Sequence, residues 1–209
     1  DSSEAMLDIP LDENLTPQEN AQRYFKKYTK AKNAFISAEE QMKIAKKELA
    51  YLENVLYSLE EADTTDSVDE IREELHNQGY IKRTVTKTKQ KKGTSSQPFH
   101  FVTREGYSVW VGRNNLQNDE LTLRFSKPGD LWLHTKDIPG SHVIARLPDP
   151  LPDHSLLEAA NLAAWFSKAR FSSKVQIDYT RVKHVKKPSG AKPGMVIYFH
   201  YNAVIVDPI

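Results

Sequence analysis

The chain has 209 residues, 39% hydrophobic and 27% charged, which is enough for one full domain and an additional segment. It contains no cysteine, which excludes disulfides, thiolate zinc sites and a cysteine nucleophile. No stretch approaches the roughly 18 consecutive apolar residues of a membrane span, and residues 1–13 lack the basic and apolar regions of a signal peptide. We therefore expect no membrane insertion, and we expect the chain to be a fragment of a longer protein.

The formal net charge of +1 conceals an uneven distribution. Residues 1–79 carry 9 basic and 18 acidic side chains, residues 80–97 carry 6 basic and no acidic ones, and residues 98–209 carry 14 and 10. This pattern predicts three parts: a coiled-coil region at 1–79, a basic linker at 80–97 and a compact domain at 98–209.

The first part predicts a long helix that begins at a capping box formed by Thr16 and Glu19 and continues to about residue 62. Apolar residues then recur at strict spacings of three and four, which is typical of a coiled-coil seam. The seam consists of Ala21, Tyr24, Tyr28, Ala31, Phe35, Ala38, Met42, Ala45, Leu49, Leu52, Leu56 and Leu59.

A second capping box at residues 67–70 predicts a short helix that ends near Gly79. Its apolar residues Val68, Ile71 and Leu75 could cover only about two turns of the seam. The remainder needs a partner, either an antiparallel helix upstream of this chain, which we favour, or a second copy. Basic residues at 23–32 and acidic ones at 53–63 oppose the helix dipole, which fits either a solvated surface or contact with an anionic partner.

Residues 82–97 (KRTVTKTKQKKGTSSQ) lack large apolar groups and predict a flexible tether that also attracts phosphates. From residue 98 the apolar period changes to two, which predicts strands in FHFVT, YSVWVG, ELTLRF, DLWLHTK and SHVIARL. One helix follows at about 156–170, with a capping box at Ser155 and Glu158, and then two long strands, KVQIDYTRVKHVK and MVIYFHYNAVIV. The predicted fold class is α+β, a long coiled-coil helix region followed by a compact, mostly antiparallel sheet domain with one main helix.

Catalysis is disfavoured by the motifs. Ser141 and His142 are adjacent, so on a strand they point to opposite faces and cannot form a nucleophile–base pair. The histidines are scattered without metal-binding spacing, and the glycines of KPSGAKPG precede a strand and not a helix. We predict no catalytic residues, no metal and no cofactor.

Binding is better supported. Alternation in DLWLHTK places Trp132, His134 and Lys136 on one strand face, which offers a ring to stack on bases and an amine for phosphates. The asparagines of GRNNLQND either extend this surface or hold a turn through bonds to the backbone. The candidate nucleic-acid-binding residues are Arg113, Asn114, Asn115, Asn118, Trp132, His134, Lys136, His142, Lys183, Lys186, Lys187 and Lys192.

The segments VGRNNLQND, LTLRFSKPGDLWLHTKDIPGSHVIARL and VQIDYTRVKHVKKPSGAKPGMVIYFHYNAVIVDP resemble the RNA-binding domain (NFACT-R) of the NFACT family, whose bacterial members are called RqcH or fibronectin-binding protein A. The preceding ENAQRYFKKYTKAKNA resembles that family's middle coiled coil. The resemblance covers nearly the whole chain and is closest to streptococcus-like members.

The resemblance implies a part in ribosome quality control. Full-length members bind large ribosomal subunits that carry a stalled peptidyl-tRNA and recruit tRNA for alanine tailing, which implies rRNA and tRNA as partners and a cytoplasmic, ribosome-associated location. Streptococcal relatives are also described as surface adhesins, which implies fibronectin as an alternative partner. In that case SHVIARL could serve as an exposed edge for an added strand. Self-association through the unpaired seam is a further expectation.

Overall fold

A computed structural model describes residues 7–82 and 96–208, and it divides the chain into two compact units, one ending at Glu48 and one beginning at Leu49. Helix α1 (Pro17–Glu60) starts at the predicted capping box, because the Thr16 N–H donates to Glu19 Oε2 (2.8 Å) and the Glu19 N–H to Thr16 Oγ1 (3.3 Å). At 1.5 Å per residue its 44 residues measure about 66 Å. Within the described residues, no helix is both long and apolar enough to cross a membrane.

The predicted seam lies along an exposed face of α1. Phe35 is 64% exposed and Met42 56%, whereas an apolar residue that pairs in a coiled coil is largely buried. Tyr24 is the exception, since it is partly covered and its hydroxyl donates to the carbonyl of Pro10. The other large seam residues are also exposed: Tyr28, Leu49, Leu52, Leu56 and Leu59.

Helix α2 (Thr65–Asn77) packs on a different face of α1 from the one that we expected. Its Ile71 contacts Tyr51 and Val55, which lie about a third of a turn away from the seam residues Leu52 and Leu56. The prediction that α2 covers two turns of the seam is therefore wrong. The capping residue also differs, since Thr64 accepts from the Ser67 N–H and the helix begins three residues earlier than the predicted cap at Ser67 implies.

The second unit contains a six-stranded sheet in which every neighbouring pair is antiparallel, as the predicted fold class requires. The strand order is β1-β2-β4-β3-β5-β8, and a separate two-stranded ribbon joins β6 to β7. The strands are β1 (Phe99–Val102), β2 (Ser108–Val111), β3 (Leu131–Thr135), β4 (Val143–Ala145), β5 (Val175–Arg181), β6 (Val185–Lys186), β7 (Ile197–Tyr198) and β8 (Asn202–Val206).

Three predicted elements of this unit are wrong. The stretch KVQIDYTRVKHVK is not one strand, because a 3-10 helical turn at Val182–His184 separates β5 from β6, which belongs to the separate ribbon. The stretch ELTLRF is helical, because α3 (Asn115–Glu120) runs directly into a π-helical turn at Leu121–Phe125. Asn114 starts this helix by accepting the Gln117 N–H on its side chain (3.0 Å). The stretch MVIYFHYNAVIV breaks into β7 and β8, since His200 adopts a positive φ of 50° and the Thr180 hydroxyl donates to the carbonyls on either side of the bend.

Both faces of the sheet are covered at its centre. Helix α4 (Asp153–Trp165) lies on the first face, where Leu131, Leu133 and Val143 meet its alanines. The second face is covered by the π-helical turn and by the β6–β7 ribbon. Helix α4 starts earlier than predicted and its expected capping box does not form, because Ser155 lies inside the helix and donates to Thr103 and Glu105.

Candidate functional site

Trp132 lies in the core of the second face and is only 1% exposed. It packs among Leu121, Ile144 and Val185, and its ring centroid is 4.8 Å from that of Tyr198. The predicted alternation of β3 is correct, since Leu131 and Leu133 point to the opposite face. The prediction that this ring stacks on a base is not compatible with its burial, because neighbouring side chains already cover the ring.

His134 and His142 belong to the same core and are not cationic. Burial lowers the pKa of His142 to about 3, helped by the neighbouring His134, and burial also lowers the pKa of His134. The His142 Nδ1 atom is 2.8 Å from Thr122 Oγ1, and its backbone N–H donates to Asn118 Oδ1 (3.0 Å). These neutral rings therefore hold the fold together and supply no charge for a phosphate.

The asparagine motif forms an internal contact between α2 and the start of α3. Asn114 donates to Glu70 Oε2 (2.6 Å), and Asn115 donates to Glu74 Oε1 (3.0 Å). Asn114, Asn115 and Asn118 are all buried. The alternative that these side chains have a structural role therefore fits the geometry, because Asn114 and Asn118 also accept hydrogen bonds from the backbone N–H groups of Gln117 and His142.

Glu74 is the centre of this contact. Its Oε1 atom accepts hydrogen bonds from Asn115 and from the hydroxyl of Tyr51 (2.8 Å). Burial raises the pKa of the Glu74 carboxyl and also that of the Tyr51 hydroxyl, whereas the bonds to Asn115 and Tyr51 oppose the rise for Glu74. Close packing fixes the geometry further, because a Cβ on Gly194, which has a positive φ of 76°, would collide with the Asn115 side chain.

Charged pairs attach the same region to the end of α1 and to the loop that follows it. Arg113 is paired with Asp63, and Arg170 with Glu61. The Gly140 N–H also donates to the side chain of Asn54 (3.0 Å). Arg113 was predicted to bind nucleic acid, but in this structure its guanidinium is bonded within the protein.

The predicted lysines divide into two groups. Lys136, Lys183 and Lys186 are exposed. Lys187 is paired with Asp119, while Lys192 donates to the Tyr80 hydroxyl and lies over the Tyr80 ring. Only the exposed group has its ammonium groups facing solvent in this structure.

The sequence reasoning did not identify several exposed aromatic side chains beside these lysines. Phe125 is 44% exposed, and Phe199 and Tyr201 are similarly exposed near the β6–β7 ribbon. Because ELTLRF was predicted to be a strand, the position of Phe125 was not recognised. The segment is helical, and the Phe125 ring contacts Trp110. Reading MVIYFHYNAVIV as one strand likewise hid the bend that exposes Phe199 and Tyr201.

The described residues offer no metal site, since residues 7–82 and 96–208 contain no group of three or more His, Asp or Glu side chains placed to hold an ion. The basic stretch predicted at 80–97 falls mainly outside the described residues. At its two ends, Tyr80 stacks on Tyr51 (5.9 Å between centroids) and the Ser96 N–H donates to Glu70 (2.6 Å).

The chain is similar to bacterial proteins named as Rqc2 homologs. It is 45% identical over its whole length to the Rqc2 homolog RqcH of Bacillus subtilis, and 44% identical over 97% of its length to RqcH of Streptococcus suis. In each case it spans only 36% of the relative, so it corresponds to about a third of those proteins. A solved structure with a TM-score of 0.82 and 43% identity is the C-terminal part of the fibronectin/fibrinogen-binding protein of Streptococcus suis, where the match covers 94% of this chain and 78% of that one.

Two family models together match almost the whole sequence. The model for the NFACT N-terminal and middle domains matches residues 1–94, and the model for the NFACT protein RNA-binding domain matches residues 97–198. The long helix, the antiparallel sheet domain and these matches agree with the resemblance noted in the sequence. The chain is a member of the NFACT family and carries its middle and RNA-binding regions.

Proposed function

We propose that this chain is a non-catalytic RNA-binding module of a ribosome quality control factor. In the full-length protein it would act in the cytoplasm, help to hold the factor on large ribosomal subunits with a stalled chain, and work with the other regions of that protein, which would recruit tRNA for alanine tailing. The module alone would not extend a tail, because it corresponds to only part of its RqcH relatives.

The observation that carries the proposal is the unequal pairing of charges on the sheet domain. Its carboxylates are largely engaged inside the protein, as Asp119 is with Lys187 and Asp130 is with Arg146. The exposed Lys183 and Lys186 have no carboxylate within 4 Å among the described residues. An exposed cationic surface of this kind attracts the phosphate backbone of a nucleic acid.

A salt-series titration against purified large ribosomal subunits tests the proposal. Affinity should fall steeply with salt, because each phosphate contact releases bound counterions. The double variant Lys183→Glu/Lys186→Glu should bind more weakly and should flatten the slope of log affinity against log salt by about 2. The matched control is Lys168→Glu/Lys174→Glu, two exposed lysines in the segment after α4, which should behave like wild type. Equal slopes for wild type and the Lys183/Lys186 variant would refute the proposed surface.

Fibronectin remains the second candidate partner, because the similar Streptococcus suis protein is named as a fibronectin/fibrinogen-binding protein. The structure changes the expected mode of binding. SHVIARL contains β4, which lies between β2 and β3 and is not an edge, so a fibronectin strand would have to add to one of the two edge strands, β1 or β8. We favour β8, where Ile205 is exposed. Saturable binding to immobilised fibronectin that survives nuclease and is lost in Ala203→Pro, an edge-strand variant, would support this alternative. No binding at micromolar concentrations would remove it.

A further inference from the structure

Three aromatic rings cluster at the β1–β2 side of the second sheet face. His100 and Trp110 are direct cross-strand neighbours, and their rings stack with centroids 5.1 Å apart and an interplanar angle of 23°. Phe125, the last residue of the π-helical turn, meets the edge of Trp110 at 4.9 Å. Ring clusters on a sheet often only cover a core, but here His100 is exposed and Phe125 keeps 44% of its surface accessible.

A fixed cation lies on these rings. The Arg146 guanidinium carbon is 4.7 Å from the centre of Trp110 and 5.5 Å from that of Phe125. Its Nε and Nη2 atoms donate to the buried Asp130 carboxylate (3.3 and 3.2 Å), which holds the guanidinium plane in place. The Arg146 side chain is still 39% exposed, and its Nη1 atom has no acceptor among the described residues.

The surroundings of this cluster are basic and continue to the lysine surface. Arg124 is exposed immediately before Phe125, and Lys127 follows two residues after it. The Lys183 N–H donates to the carbonyl of Pro128 (3.2 Å), so the exposed Lys183 belongs to the same surface region as Asp130 and Arg146. Asp130, the acid that bonds to Arg146, is itself buried.

We propose that His100, Trp110, Phe125 and Arg146, which we name the Arg146 cluster, bind an unpaired RNA nucleotide. The base stacks on the exposed rings of Phe125 and His100, and its phosphate contacts Arg146 and Arg124. This inference rests on the RNA-binding function proposed above and adds its substrate class, which is single-stranded RNA. A base inside a duplex is stacked on both faces and cannot offer a face to a protein ring.

The test compares two RNAs, a single strand of about 12 nucleotides that carries the fluorescent base 2-aminopurine and a blunt hairpin duplex of similar charge. Phe125→Ala should weaken binding of the single strand by about 5- to 100-fold, the range expected for one lost base–ring stack. His100→Ala should also weaken binding of the single strand. Wild type should quench the fluorescence of 2-aminopurine, and neither variant should do so. The salt slope should not change, because no phosphate contact is removed.

Matched variants separate stacking from other effects. Phe171→Ala removes a phenylalanine that is 90% exposed elsewhere on the chain and should leave both affinities unchanged. Phe125→Tyr keeps the ring and should bind within about twofold of wild type, which guards against a folding artefact. Duplex binding should be unaffected by Phe125→Ala but reduced by Lys183→Glu/Lys186→Glu.

The outcomes distinguish the two proposals. A wild-type protein that binds neither RNA nor ribosomal subunits would refute RNA binding itself. A wild-type protein that binds RNA, with Phe125→Ala and His100→Ala indistinguishable from Phe171→Ala, would overturn the Arg146 cluster alone. Equal losses of affinity for the single strand and for the duplex would also overturn it. So would variants that bind RNA normally but no longer bind ribosomal proteins from which the rRNA has been removed.

Discussion

Trp132 shows how a side chain with the chemistry of a binding residue can serve the fold. Its indole is sealed between the sheet and the β6–β7 ribbon, where the Tyr198 ring and Val185 contact it. Loss of RNA binding on changing Trp132 would therefore not identify a contact residue, since the same substitution opens a cavity in the core.

The burial of Trp132 predicts a large loss of stability. Trp132→Ala should lower the free energy of unfolding by about 3–5 kcal/mol, as expected when a large aromatic side chain is removed from a core. Urea denaturation followed by circular dichroism measures this. Trp165→Ala, which removes a tryptophan that is 38% exposed, should cost clearly less. Equal costs for the two variants would contradict the burial of Trp132.

His142 predicts a pH dependence of stability. Its pKa is about 3 in the folded protein and about 6.5 in the unfolded chain, so below pH 6.5 only the unfolded chain takes up the proton. The contribution of neutral His142 is fully present above pH 6.5 and declines as the pH falls toward 3. Relative to His142→Asn, wild type should lose about 2 kcal/mol of stability between pH 7 and pH 5. Chemical denaturation of both proteins at several pH values measures the difference, and a constant difference would contradict the lowered pKa.

Local sequence predicted some secondary-structure elements correctly and others incorrectly. The capping box of Thr16 and Glu19 and the alternation of β3 depend on neighbours along the chain, so both were predictable. In ELTLRF the apolar residues fit a strand period, but Leu121 and Phe125 are also four apart, which fits a helix equally well. The Asn114 cap decides for the helix.

The candidate site was less predictable than the fold. The spacing of Trp132 and His134 predicted a common face correctly, but the residues that cover this face come from 121–125 and 182–198, which are distant in sequence. The role of Asn114 and Asn115 likewise depends on Glu70 and Glu74, more than 40 residues away. Spacing within one segment cannot reveal partners of this kind.

The contact between α2 and α3 depends on the buried carboxylate of Glu74. Glu74→Ala would leave the Tyr51 hydroxyl and the Asn115 amide without their acceptor, and each unpaired buried polar group costs about 1–3 kcal/mol. We expect a total loss of about 2–6 kcal/mol, measured by denaturant unfolding. Glu73→Ala is the matched control, because it removes the neighbouring exposed glutamate from the same helix. Similar stability of the two variants would show that Glu74 contributes little.

At the scale of the whole molecule, the exposed seam of α1 predicts association when no partner helix is present. The isolated chain should show a sedimentation coefficient that rises with concentration, because association buries the exposed side chains of Phe35 and Met42. Phe35→Glu/Met42→Glu should keep the chain monomeric in sedimentation velocity experiments.

The matched control for this prediction is Ile36→Glu/Ile44→Glu. These isoleucines are also exposed on α1 but lie outside the seam, so their replacement should leave association unchanged. An isolated chain that stays monomeric at all concentrations would argue that the seam pairs only with a helix upstream of this chain.

The contact between α2 and α3 has a consequence for the integrity of the protein. Tyr80 and Ser96 flank a stretch rich in lysine, and the bonds described between α2 and α3 are made by residues on either side of it. A protease cut within that stretch would divide the chain into two pieces. The same bonds would still hold these pieces together as a noncovalent complex. The two pieces, produced separately, should then reassemble on mixing. The peptide connection would affect the rate of their association and not their ability to associate.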